Sequence, residues 1–308
     1  MIRTFKSTDT DALIELWNRA TPDHPIDKAG FVKNILLDPN FDEEGFFLVE
    51  REGELVAFLQ AVIRKVPVDV GGNLDTGKGY INVIGFADPA DALGKLGLEL
   101  LSRAEKYIAG YGEREIRVAG YTPNYFYPGI NEKYTEQLEL FRRAGYTEGS
   151  RHRSIEIDLL KYEYPVQLQK LKAVREAEGY GFSSLTPELV RSMLAGFVPG
   201  WVHRFRRQLL ETMDYSKFRV ITFGGEVVGC SVFGDPYSSH ERFGPIGVHS
   251  EYRGLGLGKL LLADTLVTMK ESGLRHAWAQ STPMSGAART MYDRAGFYTT
   301  ATFLSFVK

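Results

Sequence analysis

The amino-acid sequence predicts an α/β (α+β) chain in which helices pack on a twisted sheet, with that plan written twice. Three observations carry the expectation. The length of 308 residues exceeds one comfortable core and suits two domains of roughly 150 residues. Strand-like runs alternate with helical periodicities along the whole chain, the pattern of a mixed fold. Two short segments recur in the same order in both halves, as a duplication requires.

The first recurrence is a hairpin signature. Phe46 to Leu59 is two β-rich runs around Gly53-Glu54, and Phe218 to Cys230 repeats it around Gly225-Glu226, an offset of 172 residues. The second is Phe141-Arg142-Arg143-Ala144-Gly145-Tyr146 against Tyr292-Asp293-Arg294-Ala295-Gly296-Phe297, an offset of 151. Each reads as a helix end stopped by Gly and followed by an aromatic strand. The shrinking offset leaves about 21 extra residues in the first copy. The aromatic stretch Tyr121 to Gly129 supplies about half of them and is read as a loop packed on the fold or walling a cleft.

The join follows a strand at Ser154 to Leu159. Pro165 breaks the pattern, Leu168, Leu171 and Val174 then mark a helix over Val166 to Glu178, and a new strand starts near Tyr180. The domains are therefore expected at 1–165 and 166–308. In the second, helices are expected at Pro187 to Phe197 and Trp201 to Thr212, and a strand ends at Ile246 and Val248. An amphipathic helix follows at Lys259 to Ser272, with Leu262, Leu266 and Met269 on one stripe and Gly273 as its stop. Ala277 to Gln280 is the next strand, and Ser285 is positioned to cap a helix from Gly286 to Ala295.

Composition excludes several function classes. A net charge of −2, from 37 basic and 39 acidic residues, sets up no global field for nucleic acid or an anionic membrane. Aromatic residues make up 12% of the chain and are spread along it, which argues against disorder. The single cysteine, Cys230, excludes an internal disulfide framework and points to a reducing compartment. The start, MIRTFKSTDTDALIELW, lacks an apolar signal core, and no run approaches the roughly 18 apolar residues of a membrane span. A cytoplasmic protein is expected. The six histidines show no metal-ligand spacing, so no metal is implied. Trp201, His203, Arg204, Arg206 and Arg207 form a basic-aromatic helix, read either as a solvated face or as a face for an acidic substrate or phosphate.

Glycine is the unusual count, 32 residues where an average of about 7% is ordinary. Three of them lie in Gly247-Val248-His249-Ser250-Glu251-Tyr252-Arg253-Gly254-Leu255-Gly256-Leu257-Gly258-Lys259, which runs from a strand through alternate glycines into a helix. Glycine lets the backbone take positive φ and lets a ligand approach its N–H groups, and a helix start adds partial positive charge. Together these suit a diphosphate. A P-loop is excluded because Arg253 stands at its first Gly and Leu260 at its Ser or Thr. A dinucleotide fingerprint is excluded by the G-x-G-x-G spacing and by Ser281 where an acidic residue should end the next strand.

The Arg-x-x-Gly-x-Gly loop at Arg253, Gly256 and Gly258, with Ala288 to Phe297 following, resembles the GNAT (Gcn5-related N-acetyltransferase) superfamily. The resemblance covers Tyr180 to the C-terminus well and the first half by fold pattern. It implies two tandem GNAT-like domains, each a mostly antiparallel twisted sheet with helices on both faces. It further implies that Ile246, Gly247 and Val248 hold a pantetheine arm. Arg253, Gly254, Leu255, Gly256, Leu257, Gly258 and Lys259 would take the diphosphate of acetyl-CoA, and Ser285 would stand where the family often has a pantetheine-binding Asn. Tyr292 occupies the place of the general acid that protonates the departing thiolate; the same position reads structurally as a buried helix aromatic. Asp235, His240 and Glu241 are the candidates for a base, while His249 is read as positional.

The first copy reads as having lost this chemistry. At an offset of 162, Asp91, Ala92 and Leu96 replace Arg253, Gly254 and Gly258, and Phe141 stands at the place of Tyr292. A carboxylate repels a diphosphate, and a side chain blocks close backbone approach. The function implied by the resemblance is transfer of an acetyl group from acetyl-CoA to a primary amine of a small molecule or peptide by direct attack. The alternative is a non-catalytic acyl-CoA-binding or regulatory module. Aminoacyl-tRNA-dependent transfer is disfavoured by the intact loop and the absence of a strong basic patch.

Overall fold

The computed structural model describes residues 1–66, 77–112, 115–121, 128–196, 199–235 and 239–308. They form two compact units, Met1–His152 with Ala301–Lys308, and Arg153–Thr300. Residues 122–127 of the aromatic stretch and Phe197 lie outside the described residues.

In the first unit, β1 (Ile2–Thr4) leads to α1 (Thr10–Ala20), where Leu13, Leu16, Trp17 and Ala20 fall at three- and four-residue steps and are all buried. A hairpin follows, β2 (Phe46–Arg51) and β3 (Glu54–Ile63), joined through Glu52 and Gly53 at φ 55° and 85°. Two successive positive φ values give the turn whose twist matches the flanking strands. β4 (Lys78–Phe86) pairs antiparallel with β3; after α2 (Lys95–Gly110), β5 (Glu115–Val118) pairs parallel with β4. α3 (Thr135–Arg143) and β6 (Thr147–Asp158) complete the series. Trp17 stacks on Phe58 at 5.1 Å in the core.

The second unit opens with α4 (Val166–Ala177) and β7 (Tyr180–Ser184). Then come α5 (Val190–Ala195), α6 (Pro199–Thr212), and a second hairpin, β8 (Phe218–Phe223) and β9 (Glu226–Asp235). Its turn again has two positive φ values, 59° and 86° at Gly224 and Gly225. β10 (Ser239–Val248), α7 (Leu257–Glu271), β11 (His276–Pro283), α8 (Gly286–Ala295) and β12 (Tyr298–Val307) follow. The strands β7, β8, β9 and β10 are antiparallel neighbours, and β11 runs parallel to β10. Adjacent residues separate the two sheet faces: Val220 packs with Met193 and Phe205, and Ile221 with Leu257 and Leu260. Thus α5 and α6 cover one face, and α4 and α7 the other.

The duplication holds element by element. Phe46 and Phe218, like Glu54 and Glu226, open corresponding strands 172 residues apart. Lys95 and Leu257 open helices 162 apart, and Thr147 and Tyr298 open strands 151 apart. The mixed class and the two-fold plan are as the sequence predicts.

Two expectations differ. The join expected at residue 165 lies inside the second unit, whose core takes in Ile155, Ile157, Leu159 and Tyr162. The chain's end belongs with the first unit because Phe303, Leu304, Phe306 and Val307 pair with Asn131, Ile130, Val118 and Arg117. The helix read as amphipathic, α7, is instead buried on most sides. Leu168 and Leu171 of α4 cover the side expected to face water, and Asp264 there pairs with Lys172 and Arg219.

Candidate active site

Among the described residues, β10 and β11 pair only at Arg242↔Trp278. On its other edge β10 stays bonded to β9, from Phe233↔Phe243 to Gly229↔Val248. From Gly244 to Val248 the strand is half-buried, with its β11-side edge open. A parallel sheet pulled apart in this way leaves backbone donors and acceptors for an extended ligand to bind as an added strand. Ile246, Gly247 and Val248, expected to hold a pantetheine arm, line this split.

The strand then passes into the glycine loop. Arg253 donates from Nε to the Val248 carbonyl at 3.3 Å, clipping the loop to the strand end. Gly254 and Gly256 take φ 85° and 81°, a conformation side chains rarely adopt, and around Gly254 an added Cβ would meet nothing within 4 Å. Gly256 is the cap of α7. The Leu257 and Gly258 N–H groups head the helix without an acceptor among the described residues, as an anion site requires. The Lys259 N–H is committed to the Gly256 carbonyl at 3.0 Å, so it is not free as a backbone donor for the expected diphosphate.

The loop is braced from α4, which sequence reading gave no role. Arg175 donates from Nε to the Leu255 carbonyl at 3.0 Å, and Leu171 lies 2.7 Å from where a Cβ on Gly256 would stand. No local signal exposes a contact between residues 80 positions apart. Beside the loop, Lys259, Leu262, Met291 and Arg294 line an apolar pocket of about 190 Å³ with two cations among its lining residues.

Tyr292 is carried by α8, which Ser285 precedes in extended conformation without a side-chain cap bond, leaving the Ser285 hydroxyl exposed. The Tyr292 ring meets Phe243 edge-on at 6.1 Å and Phe297 at 5.5 Å. Phe243 directly follows the last β10–β11 pair, so Tyr292 packs at the apex of the split. Burial pushes its hydroxyl up to about 12, with Arg153 pulling the other way. Arg153, buried and bonded to Asp293 at 2.7 Å, is a neighbour the sequence did not reveal.

The remaining candidates are placed as follows. Asp235 accepts at Oδ2 from Arg204 at 3.0 Å and Arg242 at 3.1 Å, which occupies the carboxylate with two cations. Glu241 lies against His276, and His240 is exposed at the start of β10. His249 bonds through its N–H to the Val228 carbonyl at 2.8 Å, holding the strand end in place. Cys230 is fully buried, and burial pushes its thiol up. The basic-aromatic helix divides: Trp201 packs on Gly247, Arg204 turns inward, Arg206 is exposed and Arg207 pairs with Glu211. The His203 side chain lies outside the described residues.

The first unit differs in its loop and in the burial of its strand. β4 and β5 pair from Lys78↔Glu115 to Ile81↔Val118, and beyond the last pair Asn82, Val83, Ile84 and Phe86 are all buried, unlike the half-buried Gly244 to Val248. Where the second unit has its glycine loop, Ala90–Leu93 forms a helical turn whose Ala92 carbonyl packs on Gly97. Asp91 pairs with Arg51 at 3.0 Å, and Phe141 stacks on Phe306 at 5.2 Å.

Residues 185–297 match the acetyltransferase (GNAT) family model. The chain is 35% identical over 120 residues to a mycothiol acetyltransferase of Amycolatopsis mediterranei, covering 37% of this chain and 38% of that one. The match thus spans little more than a third of the relative's length. A GCN5-related N-acetyltransferase from Sphaerobacter thermophilus superposes over 100% of this chain and 95% of its own, with TM-score 0.70 at 18% identity. A tandem GNAT protein from the clavulanic acid biosynthesis pathway superposes over 100% and 98%, with TM-score 0.62 at 13% identity. The loop, the split strands and the family match fall in one stretch of chain, residues 185–297, which is similar to the acetyltransferase (GNAT) family.

Proposed function

We propose that the second unit binds acetyl-CoA along the β10–β11 split and transfers its acetyl group to a primary amine. The observation that carries this reading is the junction of three features in one unit: the open strand edge, the glycine loop at the start of α7, and Tyr292 at the apex. The loop N–H groups and the α7 N-terminus hold the diphosphate. The apolar pocket beside Lys259 and Arg294 suits the nucleotide end. Ile246 to Val248 extend the pantetheine arm as a strand, and Ser285 offers a hydroxyl near the start of α8.

Chemistry then takes place at the apex. The amine nitrogen bonds to the thioester carbonyl carbon as the C–S bond breaks. The sulfur leaves with the electron pair and takes a proton from the Tyr292 hydroxyl, while the amine loses its proton to solvent. Tyr292 is suited to this because burial keeps it protonated, and an O–H placed at developing thiolate charge acts only in the transition state. The first unit has neither the glycine loop nor a hydroxyl at Phe141, so its role in this reading is support.

The test is a panel of primary amines with acetyl-CoA, following free thiol release, with calorimetry for acetyl-CoA. Turnover of at least one amine class together with acetyl-CoA binding is expected. Tight binding with no turnover of any amine would favour an acyl-CoA-binding module instead.

A further inference from the structure

α4 braces the glycine loop, yet the helix itself is lightly held. None of its side chains is fully buried, and Val166 and Val174 are more than half exposed. Its inward stripe is Leu168, Leu171, Lys172 and Arg175, at three- and four-residue steps and all half-buried. Half of that stripe is therefore cationic, and each cation has its own acceptor. Lys172 donates from Nζ to both oxygens of Asp264 at 3.0 Å, and Arg175 donates to the Leu255 carbonyl. Asp264 belongs to α7 and has only 6% of its side chain exposed, so the Lys172 pair is not a solvated surface contact. The two leucines pack against the cluster that contains Leu257, Leu260 and Leu261.

A helix held in this way is a separate element of stability. Twelve residues are marginal as an isolated helix, and most helical stability comes from a buried apolar face. Segments with few buried apolar contacts open at lower free energy than the core. Pro165 and Gly179, the latter at φ 97°, mark the two ends of the segment.

The docked position of α4 matters to the candidate site in two places. Leu171 and Arg175 fix Gly256 and Leu255 only while the helix is in place. Tyr162, Pro165 and Leu168 line the pocket of about 190 Å³ together with Lys259, Met291 and Arg294 of α7 and α8. A ligand that occupies both the loop and this pocket therefore meets them assembled only when α4 is docked.

We infer that α4 is a strap that opens separately from the rest of its unit, latched by Lys172 on Asp264, and that acetyl-CoA closes it. The closure rests on the acetyl-CoA reading above. A ligand shifts such an equilibrium by its differential affinity for the two states, and here the loop and pocket are complete in one state alone. Lys172 is a positioning residue, acting through the placement of α4.

The experiment is native-state hydrogen exchange by mass spectrometry on the full chain, following residues 162–179 with β8 and β9 as reference. Free protein is measured across low urea concentrations, and again with acetyl-CoA at about 100 times the Kd found by calorimetry. Amides of α4 should exchange at least roughly 10-fold faster than the reference strands, with a weaker dependence on urea, because a local opening exposes less surface. Acetyl-CoA should slow α4 exchange by roughly 10- to 100-fold, the ceiling being about the ratio of ligand to Kd when only the closed form binds. Lys172→Met should speed α4 exchange by roughly 10-fold, the worth of a charge-assisted hydrogen bond, and Lys172→Arg by less. Exchange of α4 with the rate and urea dependence of β8 and β9 overturns the strap, and unchanged exchange in Lys172→Met overturns the latch. Binding of acetyl-CoA that leaves α4 exchange unaltered overturns the closure. If calorimetry shows no acetyl-CoA binding, the acetyl-CoA reading and the closure fail together, and the free-protein measurements still decide the strap and its latch.

Discussion

In the proposed reaction, Tyr292 concentrates the residue-scale chemistry. Its ring lies against Phe243 and Phe297, so burial favours the neutral form and raises the value to about 12. A tyrosine in the unfolded chain loses its proton near about pH 10, whereas the folded one keeps it until about pH 12. The stability this contributes is therefore complete below the lower value and is lost as pH rises through the upper one. Thermal melts of Tyr292→Phe against the parent protein from pH 9 upwards should show the parent alone losing this increment. At neutral pH the same substitution should lower kcat by roughly 10²- to 10⁴-fold and leave acetyl-CoA affinity unchanged. Unaltered turnover would remove the acid role. Tyr292 is legible in the sequence because its motif is local. Arg153, which tempers it, is not: it lies on another strand, 140 residues from its partner Asp293.

At the scale of elements, the glycine loop and its brace are separable. Gly256 combines φ 81° with Leu171 only 2.7 Å from an added Cβ, so Gly256→Leu must displace α4 and distort the α7 start. Calorimetry should then show acetyl-CoA binding abolished. Gly94→Leu in the first unit, where φ is −80°, should leave that binding untouched. Arg175→Ala removes the bond to the Leu255 carbonyl without approaching the ligand site. It should weaken acetyl-CoA binding by roughly several-fold, part of the worth of the lost bond, since the loop is loosened and no ligand contact is removed, with kcat at saturation preserved. The loop's identity was readable from Arg253 to Gly258 because spacing alone carries it. Its brace was not, since α4 shows only a helical period, and the partner it covers became visible when α7 proved buried beyond its expected stripe.

For the whole molecule, the two units do not coincide with two halves of the chain. The second takes core residues Ile155, Ile157 and Leu159 from before the expected join, and the first takes the chain's last strand residues. A fragment of residues 166–308 should consequently fail to give a cooperative melt. Phe306, fully buried and paired through β12 with Val118, belongs to the first unit's core. Phe306→Ala should cost about 3–5 kcal/mol in urea unfolding, the usual range for a buried aromatic truncated to alanine. A loss near zero would place the end of the chain outside that core.

The sequence by itself determined the mixed class, the duplicated plan with its offsets, the intact loop in one copy and the degenerate loop in the other. These are properties of local period, turn chemistry and spacing, which act over a few residues. The tertiary structure decided where the units divide, where β10 and β11 pair, what supports the loop, and that Asp235 lies between two arginines. Those facts depend on which distant strands and helices meet, and burial and pairing between residues far apart in the chain leave no periodic trace. The glycine excess illustrates both levels: spacing picks out Gly254, Gly256 and Gly258, while only packing shows that Gly256 is held in place by Leu171.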